Sequence, residues 1–124
     1  MSASAIHHIE LSVSDLGRST EFYAALFREL GWKPLRATMW ILDGCEVYLK
    51  EVKPSGDPSG AHFGPRHVCF RAPSREVVDR VSSVLRSLGA VVVRGPVAMP
   101  QYSPTYYTFD FHDPDGFVIE VAHE

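Results

Sequence analysis

The chain has 124 residues, 45% of them hydrophobic and 22% charged, with a formal net charge of −3. That composition supports one globular domain with a sizeable core and excludes disorder. It also excludes the basic footprint of a nucleic-acid-binding protein, and no apolar run reaches the ~20 residues of a membrane span.

Met1 to Ala5 show neither the basic start nor the apolar stretch of a signal peptide. Cys45 and Cys69 form no disulfide framework and no zinc spacing. A reducing, cytoplasmic setting is therefore expected.

From Ile6 to Val13, Ile9, Leu11 and Val13 alternate with His8, Glu10 and Ser12, the period of a half-buried strand. Asp15 is placed to cap a helix whose buried stripe is Phe22, Tyr23, Leu26, Phe27 and Leu30, with Gly31 as its stop. Strands are expected around Trp32 to Leu35, Met39 to Leu42 and Glu46 to Val52, with Asp43-Gly44 turning a hairpin between the last two.

Pro54-Ser55-Gly56-Asp57-Pro58-Ser59-Gly60 is a loop by composition. The pattern then repeats. His67 to Ala72 reads as a strand. Val77, Val78, Val81, Val84, Leu85 and Leu88 mark a helix capped by Ser74 and stopped by Gly89. Ala90 to Arg94 is a further strand. Tyr106 to Phe111 and Phe117 to Ala122 pair around Asp113-Pro114-Asp115-Gly116. Pro-rich Gly95 to Pro104 is expected to be a loop over the site mouth, with Met99 and Tyr102 either touching substrate or merely connecting.

His8-Ile9-Glu10-Leu11 answers His67-Val68-Cys69-Phe70, and Leu30-Gly31 answers Leu88-Gly89. Each half thus reads βαβββ, an internal duplication. The expected organisation is one domain over 1–124, with module one at about 4–53, a linker at about 54–64 and module two at about 65–124.

Strand parity sorts the side chains. Ile9, Leu11, Val13, Val68, Phe70, Val47, Leu49, Phe109, Phe111, Ile119 and Val121 belong to the faces under the helices. His8, Glu10, Ser12, Glu46, Tyr48, His67, Cys69, Arg71, Asp110 and Glu120 belong to the other. Two neutral imidazoles and a carboxylate on such a face are a ligand set for a divalent cation with open positions, so His8, His67 and Glu120 are the candidate metal ligands. Taken singly, each is an ordinary surface residue. Glu10, Glu46 and Asp110 are candidate proton carriers, Asp110 preferred for its place beside Glu120, with a solvated rim carboxylate as the competing reading. Cys69 is a reactive thiol or a small packed side chain. His7 and His123 read as surface residues and His62 as a loop residue.

His8-Ile9-Glu10-Leu11-Ser12-Val13-Ser14-Asp15-Leu16, Phe22-Tyr23, His67-Val68-Cys69-Phe70 and Phe111-His112-Asp113-Pro114-Asp115-Gly116-Phe117-Val118-Ile119-Glu120 together resemble the vicinal oxygen chelate superfamily. That superfamily includes glyoxalase I, extradiol dioxygenases, fosfomycin-resistance thiol transferases and bleomycin-binding proteins. The resemblance covers essentially the whole chain. It implies an α+β fold of two tandem βαβββ modules forming a curved mixed sheet around a metal-binding cup. It further implies one divalent ion (Fe, Mn, Ni or Zn) per site on His8, His67 and Glu120, and a small-molecule substrate chelated through neighbouring oxygens. Lyase or isomerase chemistry, or ring-cleaving oxygenation, follows from such chelation. The alternative is a metal-free drug-sequestering protein of the bleomycin-resistance type. The resemblance also implies a homodimer whose cups each combine module one of one chain with module two of the other.

The further glutamate of glyoxalase I falls at Tyr48, with Glu46 two residues earlier on the same face. The tyrosine that the dioxygenases and thiol transferases place upstream of the glutamate falls at Asp110. The glutathione-binding arginine of glyoxalase I falls at Ser12. The C-terminal arginine of the fosfomycin enzymes has no counterpart up to Glu124. On this reading Asp110, Glu46 and Tyr48 are candidate catalytic groups, and Glu10, Arg71, Met99 and Tyr102 candidate substrate contacts.

Overall fold

The computed structural model describes residues 4–53 and 65–124; the linker and His62 lie outside them. The first half runs β1 (His8–Val13), α1 (Leu16–Leu30), β2 (Lys33–Arg36), β3 (Met39–Leu42) and β4 (Cys45–Glu51). The second runs β5 (His67–Arg71), α2 (Arg75–Ser87), β6 (Val92–Ala98), β7 (Tyr107–His112) and β8 (Val118–His123). Each half is an open four-stranded sheet with a helix, ordered β1-β4-β3-β2 and β5-β8-β7-β6. Both sheets are mixed: β1 pairs parallel to β4 and β5 parallel to β8, and the other neighbours are antiparallel. The fold is the tandem βαβββ arrangement that the duplication implies.

The helices start and stop where local chemistry dictates. The Asp15 carboxylate accepts the Arg18 N–H and the Ser74 hydroxyl accepts the Val77 N–H, each satisfying a donor that a first helical turn leaves free. Asp43 and Gly44, at φ 50° and 81°, form the hairpin turn between β3 and β4; both positive values suit the twist of a two-residue connection.

The proline-rich segment behaves differently from the expectation. Gly95, Pro96, Val97 and Ala98 continue β6, and the irregular loop begins only at Met99. The physical reason is position. Strand β6 is the outer edge of its sheet and bonds only to β7, where a missing N–H is tolerated. The pairing register shifts between Arg94 and Val97, which accommodates the extra backbone. Gly95 fits at φ +85° against β7; a Cβ there would overlap the Thr108 carbonyl oxygen.

The core lies between the sheets and the helices. Helix α1 contributes Phe22, Tyr23, Leu26, Phe27 and Leu30 to one buried cluster; α2 contributes Val77, Val78, Val81 and Leu85. The rings of Phe27 and Phe70, 5.3 Å apart, and of Phe22 and Phe111, 5.9 Å apart, join the two halves. Polar contacts add to this join at the Asp113-Pro114-Asp115-Gly116 turn. The Tyr23 hydroxyl, fully buried, donates to Asp113 Oδ2 at 2.7 Å, while Asp113 Oδ1 accepts the Asp115 and Phe117 N–H groups. Asp115 in turn takes the Ser14 hydroxyl and N–H and the Arg18 guanidinium. The turn motif therefore anchors α1 to the second half.

Candidate functional site

The face of the second sheet turned away from α2 carries a cross-strand row. Cys69 on β5 lies opposite Glu120 on β8, Glu120 opposite Asp110 on β7, and Asp110 opposite Arg94 on β6. Parity forces this: Phe70, Phe109, Phe111, Ile119 and Val121 are claimed by the core, so their alternates share the other face.

Glu120 is only 6% exposed, and a carboxylate removed from water needs partners. It has three. Oε2 accepts the Tyr106 phenol at 2.7 Å and the Thr108 hydroxyl at 2.7 Å, and Oε1 faces His67 Nε2 at 3.2 Å. The Thr108 hydroxyl also approaches Asp110 Oδ1 and the Val121 carbonyl, each at 3.2 Å. It owns one proton, so the closest acceptor, Glu120, receives it. Asp110 instead draws the Arg94 guanidinium, with Nη2 3.0 Å from Oδ2. Contact with Tyr102 and then with Asp110 holds Arg94 above its ordinary pKa.

Neighbouring acidity follows from the same crowding. Desolvation, then the Glu120 charge, pushes the Cys69 thiol up to about 12, although the residue's outer surface is exposed. Desolvation and then donation to Glu120 raise the Tyr106 phenol in the same direction. Both groups stay protonated near neutrality.

In the first sheet, His8 lies opposite Glu46 and Glu10 opposite Tyr48. The His8 and Tyr48 rings are 5.7 Å apart, and His8 Nδ1 lies 2.8 Å from His7 Nδ1. His7, read as a bystander from sequence, thus touches the candidate ligand. Glu10 is exposed, as is Arg71 at the end of β5. The loop after β6 is closed by the Met99 N–H on the Tyr106 carbonyl; Met99 is half-buried, and Tyr102 is 59% exposed with its ring edge-on to Tyr106 at 5.4 Å.

The structure thus puts Glu120 in contact with His67 and in register with Asp110, and holds His8, Glu46 and Tyr48 on the other sheet. Among the described residues, no three His, Cys, Asp or Glu side chains gather closely enough to hold a metal ion. The donors that do meet fit such an ion. Ligands at about 2.1 Å and at right angles are about 3 Å apart, and His67 Nε2 and Glu120 Oε1 have nearly that separation.

Sequence reading missed Tyr106, Thr108 and Arg94. The alternation that placed Asp110 on this face, extended upstream, selects Thr108 and Tyr106 as well. Arg94 has no such signal, because the shifted register of β6 decides where it lands.

The glyoxalase/bleomycin resistance protein/dioxygenase superfamily model matches residues 5–121. The Bacillus subtilis protein YqjT is 30% identical over 127 residues, covering 94% of this chain and 97% of YqjT. The Salmonella typhimurium virulence protein STM3117 is 27% identical, covering 94% and 82%. Among solved structures, a glyoxalase/bleomycin resistance protein from Albidiferax ferrireducens superposes with a TM-score of 0.78 at 23% identity, covering 98% of this chain and all (100%) of that one. A glyoxalase/dioxygenase from Nostoc punctiforme gives 0.69 at 24% identity, covering 96% and 90%. With a family match over nearly its whole length and the tandem βαβββ fold, the chain belongs to the glyoxalase/bleomycin resistance protein/dioxygenase superfamily.

Proposed function

We propose that the protein is a divalent-metal-dependent enzyme of the glyoxalase/dioxygenase type, acting on a small molecule through a pair of neighbouring oxygens. The observation that carries this reading is the His67–Glu120 pair, an imidazole nitrogen and a buried carboxylate at ligand spacing. His8 completes the set from a second copy of the chain, in a homodimer with two equivalent sites. The open outer edges of β1 and β5, the strands that carry the histidines, support that assembly.

Fe, Mn, Ni or Zn suits two imidazoles and a carboxylate, and such an ion supplies Lewis acidity toward substrate oxygens. The protein's own groups do the rest. Tyr106 and Thr108 fix the Glu120 carboxylate, the kind of supporting contact that orients a ligand. Asp110, beside Glu120 and paired with Arg94, is the candidate for moving a proton on this half; Glu46 and Tyr48 approach from the half that carries His8. Met99 and Tyr102 close over the mouth, and Glu10 and Arg71 line its polar walls. Among the described residues no helix is long and apolar enough to cross a membrane; the two free cysteines support the proposal of a reducing, cytoplasmic setting.

Metal analysis of the purified protein tests the reading. About one divalent ion per chain is expected, with tight binding abolished in His67→Ala. Equal affinity of wild type and His67→Ala for Mn, Ni and Zn overturns the site. A protein that takes up no metal yet binds flat drug-like molecules belongs to the sequestering class instead.

A further inference from the structure

The second sheet presents two guanidinium groups on the face that holds Glu120, and their environments differ. Arg94 is spoken for, with its charge on Asp110 at 3.0 Å and its plane beside the Tyr102 ring at 6.0 Å. Arg71 enters none of the ion pairs formed among the described residues. It lines a cavity of about 270 Å³ together with Cys69, Tyr106, Ala122, His123 and Glu124.

That cavity adjoins the candidate ligand directly. Tyr106, one of its walls, donates to Glu120, and Cys69, another, lies opposite Glu120 in the sheet. Arg71 lies opposite Ala122, whose single methyl leaves the space open. His123, another wall, has its Nδ1 bonded to the Ala72 carbonyl at 3.0 Å. Glu124 also lines the cavity, and it makes no ion pair with Arg71.

We propose that Arg71 is the specificity-determining residue for the substrate, and that the substrate carries a carboxylate in addition to its chelating oxygens. The inference deepens the metal-site reading and rests on it for where the chelating oxygens lie. A guanidinium receives a carboxylate through two parallel hydrogen bonds, which fixes direction as well as charge. Residues two apart on one strand face are separated by about 6.6 Å, so Arg71 stands about one pleat repeat beyond Cys69 and the Glu120 row. A substrate with two or three carbons between its chelating oxygens and a distal carboxylate spans that gap.

The test uses two probes that share one chelating end, 2-oxobutanoate and 2-oxoglutarate, only the second having a distal carboxylate. Binding of each is titrated calorimetrically to wild type, Arg71→Ala and Arg71→Lys, and the metal content of each protein is measured alongside. Wild type is expected to prefer the dicarboxylate by about ten-fold or more. Arg71→Ala is expected to bring the ratio close to one at unchanged metal content, while Arg71→Lys, which keeps the charge without the fork, retains part of it. Absence of a preference in wild type, or its persistence in Arg71→Ala, overturns the assignment. Metal-free wild type would sink the metal-site reading separately, since the ratio is still measurable on that protein.

Discussion

In module two, Glu120 is buried and meets His67, Tyr106 and Thr108, while its neighbour Asp110 is tied to Arg94. In module one, His8 is exposed, and among the described residues its ring nitrogen meets that of His7, which is exposed too. The two halves share a strand order and differ in how they hold their candidate ligands. A carboxylate in a dry position must be satisfied within its own chain, or the fold loses several kcal/mol. An imidazole at a wet sheet edge carries no such penalty and is free to wait for a partner. In the proposed shared-site dimer, module two would be organised before assembly, and His8 would acquire its surroundings only on assembly.

The sharpest way to break this comparison is complementation. His8→Ala and Glu120→Ala, prepared separately, are each expected to be metal-poor. Unfolded together and refolded as a mixture, they form mixed dimers in which one shared site is intact and the other doubly broken. Random pairing then restores roughly a quarter of all sites, read as bound metal per chain. If each triad lies within one chain, mixing restores nothing, and the shared-site assembly fails even for a dimeric protein.

The supporting shell of module two comes next in size. Thr108→Val removes a proton donor from Glu120 while keeping the shape of the side chain. Tyr106 remains, so metal affinity is expected to fall about ten-fold rather than vanish. A chelator competition titration measures it. No change would mean that Tyr106 alone holds Glu120.

The fold was legible wherever one period dominated. The alternation in β1 and β8 and the helical stripe of α1 each put a single set of residues in the core, so those elements stand within two residues of their expected bounds. Legibility failed at β6, where Gly95 and Pro96 read as punctuation. The edge position that tolerates them is a property of the sheet, invisible along the chain. The same holds for the site. Parity collects His67, Cys69, Asp110 and Glu120, yet says nothing of distance: which acceptor Thr108 serves and whether Asp110 is paired depend on cross-strand register. The Asp113-Pro114-Asp115-Gly116 turn was recognisable as a motif, but its bond to Tyr23, 90 residues away, was not.

That bond defines what α1 of module one does for module two within the chain. Tyr23→Phe leaves Asp113 Oδ2 buried without its donor, at an expected cost of about 1–3 kcal/mol in urea unfolding. The pH dependence has a definite sign. Desolvation, then Asp113, raises the Tyr23 phenol above its ordinary value, so the folded state keeps a proton that the unfolded chain releases at about pH 10. Tyr23 therefore contributes its full stability below that pH, and the contribution declines as pH rises beyond it. Tyr23→Phe is expected to show a shallower alkaline loss than wild type; identical slopes would assign the loss to other groups.

The smallest effect is expected at Tyr48, the aromatic residue of module one nearest its histidine. Its ring lies 5.7 Å from that of His8 at an interplanar angle of 37°, a packing contact. Among the described residues its hydroxyl makes no hydrogen bond to His8 or Glu46, whereas the Tyr106 hydroxyl reaches Glu120 at 2.7 Å. Tyr48→Phe preserves the ring and removes only the hydroxyl, so metal affinity should stay within about two-fold of wild type, against about ten-fold for Tyr106→Phe. Both variants are read by the same chelator competition. Equal losses would show that Tyr48 becomes a hydrogen-bonding partner in the assembled site, and module one would then be as tightly wired as module two once the halves meet. A loss for Tyr106→Phe alone keeps the asymmetry: one half prepared in advance, the other supplying a bare imidazole.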